Sequence, residues 1–214
     1  MPNACRKLRR LFAARELLLA LIPALVLAGV LWQVLPVAAF SSPRAWDNGV
    51  VRYYDASGMR MTMVTAAARW NQSGAHVRLE ETQSPQDADV VVQSDDRWLF
   101  RLCGRDCLGY TTAIGRPSQG QTTVLLAGEL SGNPRPLSVW VAAHELGHVL
   151  GLEHHDGTAC SLMSPHAFDT RCAPSLAATP PTLDQLACVP APADVEAAAR
   201  LYGGEPAVID PRCR

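Results

Sequence analysis

Three histidines and a glycine stand at spacings that suit a metal centre. Residues 144–154 follow the pattern H-E-x-x-H-x-x-G-x-x-H. On a helix, His144 and His148 would lie one turn apart on the same face, so both imidazoles could reach one zinc ion. Gly151 falls where the helix should end, because glycine tolerates the left-handed backbone of a turn. The turn would bring His154 to the metal as a third ligand.

The residue after the first histidine is suited to acid–base chemistry. Three protein ligands leave the fourth position of zinc open, which is typical of catalytic sites. Glu145 is offset from His144 by about 100° around the helix, so it need not be a ligand. Its carboxylate could take a proton from a water at the open position, which is the general-base role in this motif. A short H-E-x-x-H can arise by chance on an amphipathic helix, but Gly151 and His154 at fixed spacing argue against chance.

A methionine segment follows the motif and adds a family resemblance. Cys160-Ser161-Leu162-Met163-Ser164, taken with the zinc motif, resembles the metzincin metalloproteases, in which a "Met-turn" follows the metal ligands. Among these it is similar to the matrixins and the snapalysin-type small neutral proteases. The resemblance extends over about residues 46–203, and residues 144–164 are its specific part. It implies an α+β catalytic domain with a twisted mixed sheet of about five strands and three helices, and it implies that Met163 forms an apolar floor below the metal.

Three features depart from the family patterns and leave the subfamily open. Snapalysins usually have Asp as the third ligand, whereas this chain has His154, as matrixins do. The next residue is His155, where typical matrixins have Ser. The upstream Pro-Arg-Cys-Gly segment of matrixins is missing from the sequence, and Asp-Pro-Arg-Cys at residues 210–213 resembles it only superficially.

The expected activity is that of a secreted zinc endopeptidase with Glu145 as general base. One alternative is a membrane-tethered processing or cell-wall peptidase of narrow specificity. Another is a zinc-binding adhesion or inhibitor module that kept the fold without proteolysis. Glu145 favours the enzyme, because a pure binding module has no physical need for a base beside the metal.

Composition limits the other classes. Hydrophobic residues make up 48% of the 214 residues, which excludes a disordered chain. Without residues 1–39, the chain keeps 14 basic and 19 acidic residues, a net charge of −5. No basic patch is visible, so nucleic acid is not an expected partner. We expect a catalytic domain at residues 45–204, a tail at residues 205–214 and a monomer.

The N-terminal segment predicts targeting rather than fold. Five positive charges in residues 6–15 precede an apolar stretch from Leu17 to Val37, and Val37-Ala38-Ala39 suits a signal-peptidase site. The apolar stretch is also long enough for an uncleaved anchor with its positive end in the cytoplasm. Residues 1–39 are therefore a signal peptide or a signal anchor, and both place the catalytic domain outside the cell.

The cysteine content fits an oxidising compartment. Cys5 lies in the leader, and the remaining six cysteines allow fifteen pairings. The simplest is sequential: Cys103–Cys107, Cys160–Cys172 and Cys188–Cys213. The resemblance adds support for the second pair, because snapalysin-type enzymes have a similar loop around the Met-turn.

Hydrophobic patterns predict the elements that would position the site. Strands are expected at residues 50–54, 76–80, 88–93, 108–114 and 122–126. Helices are expected at residues 59–71, from Ser138 as N-cap to about residue 150, and at residues 192–201. Asp95 and Asp96 should begin a solvated loop, with calcium binding as the alternative.

The resemblance also implies how a substrate would bind. In metzincins the fourth strand is antiparallel, lies at the sheet edge and pairs with the substrate backbone, and the strand at Gly109–Ile114 matches it by order. An edge strand offers unpaired N–H and C=O groups to an extended peptide. The expected partner is therefore a peptide or protein substrate along residues 109–114, with membrane contact only through an uncleaved leader.

Overall fold

A five-stranded mixed sheet organises the residues that the computed structural model describes, which are 44–155, 161–165 and 190–207. The strands are β1 (Val50–Asp55), β2 (Arg78–Glu81), β3 (Val90–Gln93), β4 (Gly109–Thr111) and β5 (Thr122–Leu126). Their order is β2-β1-β3-β5-β4, with β4 antiparallel to β5 at the edge and the other neighbours parallel. The α+β class, the mixed sheet and the antiparallel edge strand are thereby confirmed.

Four α-helices accompany the sheet within the described residues, where three were expected. They are α1 (Arg60–Asn71), α2 (Asp96–Cys103), α3 (Pro136–Val149) and α4 (Pro192–Tyr202). The prediction of a loop after Asp95 was wrong, because the Asp95 side chain accepts a hydrogen bond from the Trp98 N–H at 2.8 Å and so caps α2. Burial of Leu99 then fixes the helix against the sheet. The two acidic residues begin a helix instead of marking a turn.

Helix α3 begins earlier than the sequence suggested. Its first residue is Pro136, whose fixed φ suits the first helical position, and its N-cap is Arg135. Ser138 is therefore the third helical residue and not the N-cap. Its hydroxyl accepts a hydrogen bond from the Arg135 N–H at 2.9 Å, so it still serves the helix start.

The helix that carries the zinc motif is a core element. Every residue of α3 from Val141 to Val149 is buried, and a helix that is covered on all sides is held by its neighbours. Trp70 of α1 is fully buried, and its indole N–H donates to the Ala143 carbonyl of α3 at 2.9 Å. The His144 and His148 side chains thus project from a fixed backbone.

Distant segments satisfy the last carbonyls of α3, which have no partner within the helix. The Gly115 N–H donates to His148 O at 2.8 Å, the Trp46 indole N–H to Val149 O at 2.7 Å, and the Tyr202 hydroxyl to Leu150 O at 2.9 Å. The start of the described chain, the β4–β5 connection and α4 therefore all meet at the end of the zinc helix.

Several sequence predictions fall outside or only partly within the described residues. The Cys103–Cys107 disulfide is present, whereas Cys160, Cys172, Cys188 and Cys213 lie outside the described ranges. The leader, residues 1–39, also lies outside them. Of the helices that the structure does describe, none combines the length and hydropathy of a membrane span.

Candidate active site

The structure brings the three predicted histidines together. The Nε2 atom of His154 lies 3.2 Å from Nε2 of His144 and 3.1 Å from Nε2 of His148. His144 and His148 are buried, while His154 is exposed at the mouth of the site. Among the described residues this is the one cluster of at least three His, Cys, Asp or Glu side chains whose ligand atoms converge.

Backbone carbonyls fix the protonation pattern of the two helical histidines. Nδ1 of His144 lies 2.7 Å from Leu162 O, and Nδ1 of His148 lies 2.7 Å from Leu152 O. A carbonyl can only accept, so each Nδ1 carries the proton and each Nε2 presents a lone pair. This pattern, with the outer nitrogen held by a carbonyl, is typical of metal-ligating histidines.

The positions of the three converging nitrogens agree better with coordination of one metal ion than with hydrogen bonds among the histidines. A proton on Nε2 of His154 could satisfy only one of its two close contacts. Burial lowers the pKa of His144 to about 3 and also lowers the pKa of His148, so both rings are neutral at pH 7. Their single ring proton lies on Nδ1, and neither Nε2 can donate to His154. Two ligands of tetrahedral zinc, each about 2.0–2.1 Å from the metal, lie about 3.3 Å apart. The observed separations of 3.2 and 3.1 Å agree with that requirement.

The turn after α3 decides which of two adjacent histidines joins the cluster. Gly151 has φ 93°, which a side chain would disfavour, and its N–H donates to His148 O at 2.9 Å. The chain then turns so that His154 reaches the site, while the His155 N–H donates to Met163 O at 3.0 Å. His155 thus ties the turn to the methionine segment through its backbone.

Glu145 lies beside the histidines as a buried carboxylate. Its residue is 4% exposed, and burial raises its pKa to about 7, an effect that a hydrogen bond from Thr111 opposes. The Thr111 hydroxyl lies 2.6 Å from Oε2 of Glu145. A Cβ added at Gly109 would lie 2.5 Å from Oε1, so the bare backbone of Gly109 leaves the space that the carboxylate occupies.

The Met163 side chain lies beneath the zinc helix, fully buried. A Cβ at Gly147 would collide with Sδ of Met163 and would lie 3.2 Å from the Trp70 ring. The glycine in the motif therefore permits close packing of the methionine and Trp70 against α3. Met163 thus packs against the helix backbone between the two histidines and supports it from below.

A buried aspartate holds the methionine segment in place. Asp194 of α4 is 0% exposed, and its carboxylate accepts from the Ser161 hydroxyl and from the N–H groups of Leu162 at 2.7 Å and Met163 at 3.3 Å. It also accepts from the Ala191 N–H at 2.9 Å, at the start of its own helix. Leu162 is the residue whose carbonyl contacts His144 Nδ1, so Asp194 is linked to the histidine cluster through one backbone unit.

A cleft of about 530 Å³ runs past the cluster. It is lined by strand β4 and the following residues to Ile114, together with His144, Glu145 and His148. Trp140 also borders the cleft and stacks on the His144 ring, with centroids 5.2 Å apart. The arrangement places an extended strand edge alongside a potential metal site and a carboxylate.

The acidic pair Asp95 and Asp96, the alternative calcium site, gains no support as a ligand group. Asp95 caps α2, and Asp96 accepts from the Gly128 N–H at 2.6 Å, so both carboxylates serve backbone groups. The strand expected at residues 76–80 begins at Arg78, so His76 lies before it, is exposed, and donates its backbone N–H to Gly203 O at 2.9 Å. Calcium binding at the acidic pair stays an untested prediction.

Three residues that the sequence did not identify belong to this site: Thr111, Gly147 and Asp194. Gly147, at the fourth position of H-E-x-x-H, could have been interpreted as a sign of close packing. Glycine destabilises a helix interior, so its presence there suggests that a neighbour needs the space. Asp194 directly follows a Pro-Ala helix start, which suggests only a capping role. Thr111 carried no signal, because its partner is 34 residues further along the chain.

Part of the chain is similar in sequence to a known protease. No protein-family model matches the chain. The chain is similar to the extracellular small neutral protease of Streptomyces lividans, with 31% identity over 119 residues. The matched stretch is 54% of this chain and 46% of the relative, so the chain spans about half the length of the curated relative that it matches. This likeness to a protease agrees with a histidine cluster that could hold a metal.

Proposed function

We propose that the chain is a zinc-dependent endopeptidase in which His144, His148 and His154 hold the metal and Glu145 is the general base. One observation carries the proposal: three imidazole nitrogens converge beside a buried carboxylate at the wall of an open cleft. The partial identity with a small neutral protease supports proteolysis as the activity.

Zinc fits the donor set. Three neutral imidazoles suit zinc, and three protein ligands leave a position open for substrate or water. When bound, zinc would act as a Lewis acid that polarises the scissile carbonyl and makes water more acidic. The backbone carbonyls of Leu162 and Leu152 orient the two helical imidazoles and raise their basicity as ligands.

Glu145 supplies the proton transfers. Its carboxylate accepts a proton as water attacks the peptide carbonyl, and it delivers that proton to the leaving amine. The raised pKa of Glu145 suits both steps, since a base that is too acidic would not take the proton. A base held beside the metal favours an enzyme over a zinc-binding module.

Strand β4 would bind the substrate as an added strand. It pairs with β5 on one side only, among the described strands, and its other edge borders the cleft. An extended peptide could pair with this edge through backbone hydrogen bonds, as in β-augmentation. The substrates would then be extended or unfolded segments of polypeptide.

We propose that the protein acts outside the cell. The leader at residues 1–39 would direct export, and the similar protease of Streptomyces lividans is extracellular by name. An uncleaved leader would instead anchor the domain at the outer face of the membrane. The disulfide Cys103–Cys107 is consistent with an oxidising compartment.

The proposal is tested with purified zinc-loaded protein, casein and a broad peptide library. Cleavage of casein that a chelator abolishes and zinc restores is the expected result. His154→Ala should lose both zinc and activity, whereas the matched control His155→Ala should keep both. A wild-type protein that binds one zinc but cleaves nothing would instead support an adhesion or inhibitor module.

A further inference from the structure

We propose that strand β4 positions the general base: the Thr111 hydroxyl holds the Glu145 carboxylate by a direct hydrogen bond, and Gly109 leaves the room that it needs. The inference rests on the proposed function, and it makes Thr111 a positioning residue rather than a catalytic one. The same strand would then both bind the substrate backbone and set the place of the base.

The hydroxyl contact has the geometry of a charge-assisted hydrogen bond. Thr111 Oγ1 lies 2.6 Å from Glu145 Oε2 and 3.2 Å from the Glu145 carbonyl oxygen. A hydroxyl has one proton, and the shorter contact to the carboxylate is the stronger bond. Among the described residues, Thr111 is the side chain that hydrogen-bonds this carboxylate. Burial alone would exclude water from Glu145 without choosing its rotamer.

A hydroxyl is suited to both states of a base. It donates to Glu145 while the side chain is ionised. After Glu145 has taken up a proton, the hydroxyl can accept from it and turn its own proton to the Glu145 carbonyl at 3.2 Å. A valine of the same shape could do neither.

Gly109 completes the positioning from the same side of the strand. Successive side chains of a strand point to opposite faces, so positions 109 and 111 of β4 share one face, which is turned towards Glu145. A Cβ at position 109 would meet Oε1 at 2.5 Å and Cγ at 2.8 Å, so any larger residue displaces the carboxylate. Thr111 holds one oxygen, and Gly109 leaves room for the other.

Placing both functions on one strand keeps the base aligned with the substrate. A small shift of β4 would move a paired peptide and the Glu145 carboxylate in the same direction. The distance from the base to the attacked bond would then change less than if an unrelated loop held Glu145. Displacements of about 1 Å can lower a rate about a hundredfold, so this coupling would limit the loss of rate when β4 moves.

The kinetic test compares two substitutions at one position. Thr111→Val keeps the shape and removes the hydroxyl, while Thr111→Ser keeps the hydroxyl. We expect Thr111→Val to lower kcat about 10- to 100-fold with KM little changed and zinc content intact. Thr111→Ser should restore most of the rate. In a Glu145→Gln background, Thr111→Val should cause no further loss of kcat, because the base is already gone.

An infrared measurement on the zinc-loaded protein tests positioning without turnover. Difference spectra against Glu145→Gln identify the carboxylate bands of Glu145. These bands should shift in Thr111→Val and stay in place in Thr111→Ser. Gly109→Ala gives a second disturbance of the same carboxylate and should shift the bands and lower kcat even if Thr111→Val folds poorly.

The two proposals fail in different ways. Wild-type kcat and unshifted carboxylate bands in Thr111→Val would overturn the positioning role, whatever the protein cleaves. A zinc-loaded wild-type protein without peptidase activity would overturn the proposed function. In that case, shifted bands in Thr111→Val would still support the hydrogen bond, and unshifted bands would reject it.

Discussion

Replacing Asp194 by Asn should loosen the turn that holds His144, the first proposed metal ligand. Oδ1 of Asp194 accepts from the Ser161 hydroxyl and the Met163 N–H, and Oδ2 accepts from the N–H groups of Leu162 and Ala191. Asparagine has the same shape but only one acceptor oxygen. With its NH₂ group towards Leu162 and Ala191, it would face two backbone donors. Turned the other way, it would face the Ser161 hydroxyl, which can rotate to accept, and the Met163 N–H, which also donates to Ser161 Oγ at 2.9 Å.

The expected cost follows from the second orientation, which leaves fewer buried donors without an acceptor. A buried donor without an acceptor costs about 1–3 kcal/mol. Because the Ser161 hydroxyl loses its acceptor while the Met163 N–H keeps Ser161 Oγ, the free energy of unfolding should fall by roughly 1–3 kcal/mol. The Leu162 carbonyl would also hold His144 less firmly, and loss of such outer contacts typically weakens metal binding about 10- to 100-fold.

Denaturant unfolding of the zinc-free protein and competitive zinc titration measure the two effects separately. Asp87→Asn is the matched control, because Asp87 is exposed and should change stability by less than about 0.5 kcal/mol. Ser161→Ala removes one donor and should cost less than Asp194→Asn. Equal unfolding midpoints and equal zinc affinities in Asp194→Asn and the wild type would refute the reasoning.

Three further predictions follow from the structure and the sequence. Met163→Leu conserves volume at a fully buried site and should cost under about 1.5 kcal/mol while zinc is retained at one per chain; loss of zinc would show that the sulfur has another role. Burial raises the pKa of Tyr202 from 10 to about 12, so its neutral phenol stabilises the fold fully below pH 10 and this contribution is lost as pH rises from 10 to 12. Phenolate absorbance compared with that of Tyr202→Phe should show that titration above pH 11, and a step near pH 10 would contradict it. N-terminal sequencing of exported protein should begin close to Phe40, whereas an intact chain found only in membranes would indicate an uncleaved anchor.

The zinc motif was readable from sequence because its geometry is local. His144 and His148 depend only on helical spacing, and His154 depends on a turn that Gly151 makes possible. The β-rich runs gave all five strands within a few residues of their observed bounds. The antiparallel edge position of β4, however, came from the family resemblance and not from its residues.

The hydrogen bonds that support the site could not be predicted from the sequence, because they join segments that are distant along the chain. Thr111 meets Glu145 across 34 residues, and Asp194 meets Leu162 across 32. Hydrophobic periodicity reports which face of an element is buried, but it does not report which polar side chains meet after folding. The prediction of a loop in place of α2 was wrong for a local reason. Asp95 is equally suited to a turn and to an N-cap, and only burial of Leu99 decides between them.

The most direct measurement of the central claim compares zinc content and turnover in Glu145→Ala. His144 and His148 share one helix face with His154 opposite, and Glu145 lies outside that triangle of nitrogens. The variant should therefore retain about one zinc per chain by atomic emission. Its cleavage of casein should fall by about 10²–10⁴-fold, the usual contribution of a general base. A Glu145→Ala protein that binds zinc and cleaves casein at the wild-type rate would contradict the account.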